Sequence, residues 1–256
     1  MPSFLVHSIA GREIIKKLNL SNEEENQFFI ANLLPDTRQI EIDDSWDEIE
    51  LRRNVQNGKK MTHFRGESQG ILEYPDLDFF LKKYGSSIKN DLIVYGYFFH
   101  LYTDYYYFHT FLPRVITFLD KDYNETNIKV EHLYIKVKQD GKIIDKLDFW
   151  SRKDKKGLYQ EYSRINKYLI DKYNFTYDYD KYIDYLNNKK LSVKIEEIKL
   201  DKIYDLLEEL NGYYEEAKDS NLEEFLIFSR EDIDNLIQET IDSFFEKYGN
   251  LFDSKD

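Results

Sequence analysis

The chain has 256 residues, enough for one well-filled core, and its 41% hydrophobic and 33% charged residues exclude a disordered polypeptide. A net charge of −13 argues against a general nucleic-acid-binding surface. The absence of cysteine excludes disulfides, thiolate metal sites and a cysteine nucleophile, so any metal must be held by His, Asp, Glu or backbone oxygen.

Only 4 Pro and 10 Gly argue for long helices rather than many tight turns, and the expected fold is all-α. It is read as a single multi-helix domain over 1–256, with a core over 1–173 and C-terminal helices over 174–256. The start, Met1-Pro2-Ser3-Phe4-Leu5-Val6-His7, lacks the basic region of a signal peptide, and no run reaches the roughly 18–20 apolar residues of a membrane span. A soluble, cytoplasmic protein is expected.

Phe4, Leu5, Ile9, Ile14, Ile15 and Leu18 recur at helical period, with His7 among them. Ser21-Asn22-Glu23-Glu24 reads as the cap of a second helix running through Phe28, Phe29, Ile30, Leu33 and Leu34. Pro35 stops it and Asp36 follows, well placed to face a cleft, although an Asp beside Pro is more often a solvated turn residue. Residues 37–60 are polar and acidic, with Asn57-Gly58 as a turn signal. They are expected to form a long loop, with at most a short helix near Trp46, that delivers Met61-Thr62-His63-Phe64-Arg65.

Pro75 to Tyr84 predicts a helix with Pro in its first turn. The central helix follows, from about Asp91 to Phe108, apolar or aromatic nearly all round and ending before Pro113. Its His100 and Asp104 lie four residues apart, on one helical face. Two polar groups in so apolar a helix need partners, because burying them unpaired costs several kcal/mol. They can bond to each other, or they can hold a metal.

From Asp120 to Ser151 the period changes. Loose alternation around Asp140-Gly141 signals a small β-hairpin excursion near 133–149, or else a long irregular insertion. His132 within it reads as a surface histidine. Helical pattern returns over 158–173, 179–188, 200–217 and 229–248, the last opened by a capping box at Ser229-Arg230-Glu231-Asp232. Residues 174–200 read as a surface excursion.

Of the five histidines, His7, His63 and His100 lie in segments that also offer Asp36 and Asp104. Together they make an all-nitrogen-and-oxygen metal site. Four stretches carry a resemblance. They are Met1-Pro2-Ser3-x-x-x-His7-x-x-x-Gly11, Phe29-x-x-x-x-x-Pro35-Asp36, Thr62-His63-Phe64 and Gly96-x-x-x-His100-x-x-x-Asp104. In order and rough spacing over about 1–110 the chain resembles zinc-dependent phospholipase C-like hydrolases.

The resemblance implies an all-helical fold with zinc in a cleft between helices. Asp36, His63, His100 and Asp104 would hold one ion, and His7 with a shared Asp104 a second. It also implies a small phosphoester or phospholipid headgroup as substrate, cleaved by a metal-activated water. Asp36 is the best-placed general base if it holds metal through only one oxygen. Two departures matter. Secreted members of that family begin with a Trp whose amine binds metal, whereas this chain begins Met1-Pro2. They also carry a further site, built from a His after the central helix and a later His/Glu pair. His109 is one residue off for the first, and no His follows His132. One or two ions are therefore expected, with Glu161 a guessed substitute ligand and His109 a helix-end residue. Tyr97 and Tyr107 are candidates to line the cleft. A non-enzymatic scaffold with a structural zinc clamp is the main alternative, and a nuclease is disfavoured by the charge.

Overall fold

Ser3 opens the first helix by accepting a hydrogen bond at Oγ from the Val6 N–H, which satisfies one of the orphan donors of a helix start. This is the beginning of a computed structural model that describes residues 2–37, 39, 45, 47–65, 72–151, 157–189 and 191–252. Helix α1 spans Phe4–Leu18 and ends at Asn19, in the left-handed region at φ 50°. Helix α2 spans Asn22–Leu33 behind a reciprocal Ser21/Glu24 capping box and tightens into a 3-10 turn over Leu34–Asp36 around Pro35. Both helices and the stop at Pro35 match the pattern in the residues.

The loop expected over 37–60 is corrected. Helix α3 occupies Glu48–Thr62. Asn57-Gly58 is not a turn: Gly58 is buried inside the helix, where the surrounding Glu, Arg, Gln and Lys are good helix formers. Trp46 lies outside the described residues. Helix α4 spans Leu77–Ile88, capped by Asp76, whose carboxylate accepts from the Phe79 N–H.

Helix α5, Leu92–Tyr106, buries every residue except Tyr105, as its apolar surround implies. It widens into a π turn over Tyr107–Phe111 and continues into the short α6, Leu112–Val115, with Pro113 in the first turn. Pro113 thus does not end the helical path, because a proline lacking N–H is tolerated where a new turn starts.

The small β excursion is a three-stranded antiparallel sheet rather than a two-stranded hairpin. β1 (Ile116–Leu119), β2 (Tyr134–Val137) and β3 (Ile143–Asp145) lie in that order, with Leu119 opposite Tyr134 and Tyr134 opposite Asp145. Gly141, at φ 74°, makes the turn between β2 and β3. His132 is not a surface residue: it is 3% exposed, with its ring stacked on Phe118 at 4.3 Å.

After α7 (Lys146–Phe149), α8 (Leu158–Tyr173), α9 (Tyr179–Asn188), α10 (Ile203–Asp219) and α11 (Arg230–Tyr248) complete the mostly helical chain. The Ser229/Asp232 capping box forms as its residues suggest. The buried apolar side chains make one continuous core with α5 at its centre, packed most extensively on α2. Among the described residues, no helix is long and apolar enough to cross a membrane.

Candidate metal centre

Two close helix contacts set the site. A Cβ on Gly96 would stand 2.9 Å from Ala31 Cβ and 3.0 Å from the Phe28 carbonyl oxygen, so α5 presses directly on α2. A Cβ on Gly11 would stand 2.6 Å from Asn32 Nδ2, so α1 does the same. Asn32, fully buried on α2, ties the three helices together. Its Nδ2 donates to the His7 carbonyl at 2.8 Å, and its own carbonyl accepts from His100 Nδ1 at 2.7 Å. The Leu34–Asp36 turn is held by Thr62 Oγ1, which donates to the Pro35 carbonyl at 2.7 Å and so docks the end of α3 beside Asp36.

α3 ends in a Schellman turn. The Phe64 N–H bonds to the Met61 carbonyl and the Arg65 N–H to the Lys60 carbonyl. Phe64 sits in the left-handed region at φ 50°, usually a glycine's place, with its ring packed edge-on against Phe80, Tyr84 and Tyr97. The turn aims His63 inward, and His63 Nδ1 lies 2.9 Å from the Lys59 carbonyl.

All five ligand candidates converge. His7, Asp36, His63, His100 and Asp104 are each 0–1% exposed. His63 Nε2 lies 3.4 Å from His100 Nε2, 3.5 Å from Asp36 Oδ1 and 3.5 Å from Asp104 Oδ2. Asp104 reaches His7 with its other oxygen, Oδ1 to Nε2 at 3.3 Å, and His7 stacks on His100 at 3.9 Å. His7/Asp36/His100 and His63/His100/Asp104 each bring three ligand atoms within 4.8 Å of one another and can hold a metal ion.

The protons decide what this cluster wants. A neutral imidazole has one N–H. His100 spends its proton on the Asn32 carbonyl, and His63 spends its on the Lys59 carbonyl. Their Nε2 lone pairs therefore face each other and the two carboxylates, with no hydrogen between them. Ligand atoms around a tetrahedral ion with bonds of about 2.0–2.1 Å lie roughly 3.3–3.4 Å apart, which is close to the spacing seen. Both oxygens of Asp104, Oδ2 of Asp36 and both ring nitrogens of His7 are buried without a hydrogen-bond partner. A cation satisfies the carboxylate oxygens and the one His7 nitrogen that carries a lone pair, so the residues fit a metal.

The two trios share His100, but its Nδ1 is spent and its single lone pair serves one ion. Asp104, which extends one oxygen to each side, is the residue able to bridge two.

Charge agrees. Burial alone would raise the Asp36 pKa, but Lys59, His63 and His100 outweigh it and hold the carboxyl well below the usual range. Asp104 is likewise ionised: burial opposes this, and His7, His63 and His100 prevail. Burial lowers the pKa of His63 against the pull of Asp36 and Asp104. Burial and the adjacent His7 push His100 well down, which keeps a lone pair available.

Two cations that the sequence reading passed over also enter. Lys59 Nζ lies 3.3 Å from Asp36 Oδ1, and Arg65 Nη2 lies 3.9 Å from Asp104 Oδ2. Tyr97 and Tyr107 are buried beside the cluster but turned to neighbours, Tyr97 donating to the Thr62 carbonyl and Tyr107 hydroxyl-to-hydroxyl with Tyr162 at 2.8 Å.

Glu161 and His109 stand apart from the cluster. His109 is exposed and stacked on Tyr105 at 4.8 Å. Glu161 is fully buried, but its carboxylate accepts from the Leu226, Ile227 and Phe228 N–H groups at 2.8–3.1 Å, ahead of α11. A carboxylate so engaged is a structural anchor. Glu161→Gln is expected to cost roughly 2–3 kcal/mol in denaturant unfolding, since one acceptor becomes a donor facing donors, while bound metal per chain stays unchanged. Metal lost from a folded variant would return Glu161 to the ligand set.

No family model matches the chain, and no curated protein or solved structure does. Fold and site alone therefore define the class: a mostly helical protein with a buried His/Asp cluster able to hold a metal ion.

Proposed function

We propose that the protein is a zinc-dependent hydrolase of phosphoric esters, phospholipase C-like in its ligand set. The observation that carries this reading is the pair of imidazole Nε2 atoms facing each other at 3.4 Å with both protons committed to backbone carbonyls. Nitrogen and carboxylate donors in a compact cluster suit zinc. His7, Asp36, His63, His100 and Asp104 would hold one or two ions. Zinc, when bound, supplies Lewis acidity that polarises a phosphoryl oxygen and makes water a nucleophile at neutral pH. The chain's own part is to fix the imidazoles through Asn32 and Lys59 and to exclude bulk water. Asp36 keeps Oδ2 without a donor, in position to accept a proton while Lys59 holds Oδ1.

A second reading, a structural zinc clamp in a helical scaffold, is favoured by one observation: the five ligands are essentially inaccessible to solvent. Elemental analysis of mildly purified protein, followed by assay on phosphomonoester and phosphodiester chromogenic substrates, separates the two. One or two zinc equivalents with hydrolysis is expected. Zinc without hydrolysis across the panel selects the clamp, and a chain that takes up no zinc on titration removes both.

A further inference from the structure

Of the seven side chains in and around the cluster, only Lys59 and Arg65 keep solvent exposure, 27% and 17%. They are therefore the two members that a ligand in solvent can touch. Arg65 is fixed before anything binds. Its N–H closes the Schellman turn, its backbone bridges Pro75, and the Phe64 carbonyl beside it accepts from the Asp76 N–H at 3.0 Å. Its guanidinium lies over the Phe108 ring at 5.7 Å from the centroid, and its buried Nε has no hydrogen-bond partner.

The formal charges add to a second argument. Asp36 and Asp104 supply two formal negative charges and Lys59 and Arg65 two positive ones. The protein's own charges cancel, so each divalent cation bound leaves the centre positive by its full charge. A guanidinium beside a metal ligand is repelled by the metal. The Asp104 carboxylate between them offsets part of that repulsion, and an anion that touches both guanidinium and metal offsets the rest.

The geometry points to Arg65 as an oxyanion clamp: its fork, with the spare Nε–H, engages the non-bridging oxygens of a phosphoryl group beside Asp104, and so selects phosphate esters over neutral esters and amides. This rests on the hydrolase reading above and names the group that reading leaves open. Arg suits the task because its planar donors match phosphate oxygens in pairs, whereas Lys offers a point charge.

The test is calorimetric titration of inorganic phosphate into the zinc-loaded full chain and its variants, with zinc per chain measured on the same samples. Arg65→Gln is expected to keep its zinc and bind phosphate roughly tenfold to hundredfold more weakly, the worth of hydrogen bonds to a charged group. Arg65→Lys, which keeps the charge and a long stem over Phe108, guards against misfolding of the Gln variant and is expected to fall between the two. Undiminished phosphate affinity in folded Arg65→Gln, or in Arg65→Lys should the former not fold, overturns the clamp alone. So does a loss of zinc with unchanged phosphate affinity once zinc is saturating, because Arg65 would then serve only Asp104. Wild-type chain that takes up no zinc overturns the hydrolase reading and the clamp with it.

Discussion

Asp104→Asn is expected to strip the centre of metal while leaving the helical signal in circular dichroism intact. Asn keeps the size of the side chain but removes the charge that faces His7 on one side and His63 on the other. Its amide also turns a pair of hydrogens toward lone pairs that need a cation. The carboxylate is the one group here with an oxygen for each of two ions, so its loss should cost more metal affinity than the roughly 10–100-fold that follows from removing an outer partner of a ligand. Hydrolysis of any phosphoester should vanish with the metal. His109→Ala is the control: the residue is exposed and outside the cluster, so metal content should hold. Full metal and full activity in Asp104→Asn would end the bridging assignment. Dichroism matters because an unpaired Arg65 beside the new amide could unfold the chain and imitate a lost ligand.

The buried His/Asp cluster was partly legible in the residues, because three of its members break a local rule. His100 and Asp104 are polar on one face of a helix that is otherwise apolar, and only a shared partner explains that. Asp36 follows a proline stop, and the structure makes that stop a 3-10 turn pinned by Thr62. What holds the ligands was not legible. Asn32 looks like any polar residue near a helix end, and its two roles exist only once α1 and α5 have closed on it. Lys59 and Arg65 looked like ordinary surface charge, because their partners lie 23 and 39 positions away in sequence. α3 was missed because Asn57-Gly58 is a strong turn signal in isolation, and tertiary burial of Gly58 overrides it. His132 was misplaced for a related reason: the strand that covers it, β1, is only four residues of an apolar run and shows no alternation to announce it.

The two glycines in the ligand-bearing motifs now have a physical reason. Gly11 lies one turn after His7 and Gly96 one turn before His100, and each is where its helix meets α2. Removing the side chain at those positions lets three backbones approach closely enough for Asn32 to reach both histidines. The His-x-x-x-Gly and Gly-x-x-x-His spacings are thus two halves of one packing solution, with the ligand and the contact that sets its depth on the same helical face.

Gly96→Ala is accordingly expected to destabilise the protein although alanine is the better helix former. Propensity alone predicts a gain of up to about 1 kcal/mol. The added methyl would meet Ala31 Cβ at 2.9 Å and the Phe28 carbonyl oxygen at 3.0 Å, and neither is the free end of a flexible side chain. One of the two helices must shift, and such overpacking costs roughly 1–3 kcal/mol, more than the propensity returns. Gly85→Ala on α4 isolates the propensity effect, since its methyl would find only Leu81 Cβ at 3.9 Å, an ordinary contact. Denaturant unfolding should therefore move in opposite directions for the two variants. The shift in Gly96→Ala should also lengthen the reach from the Asn32 carbonyl to His100, so zinc affinity should fall in that variant and stay level in Gly85→Ala. Should Gly96→Ala prove as stable and as tight for zinc as its α4 counterpart, the close approach of α2 and α5 is not what sets the depth of the metal centre.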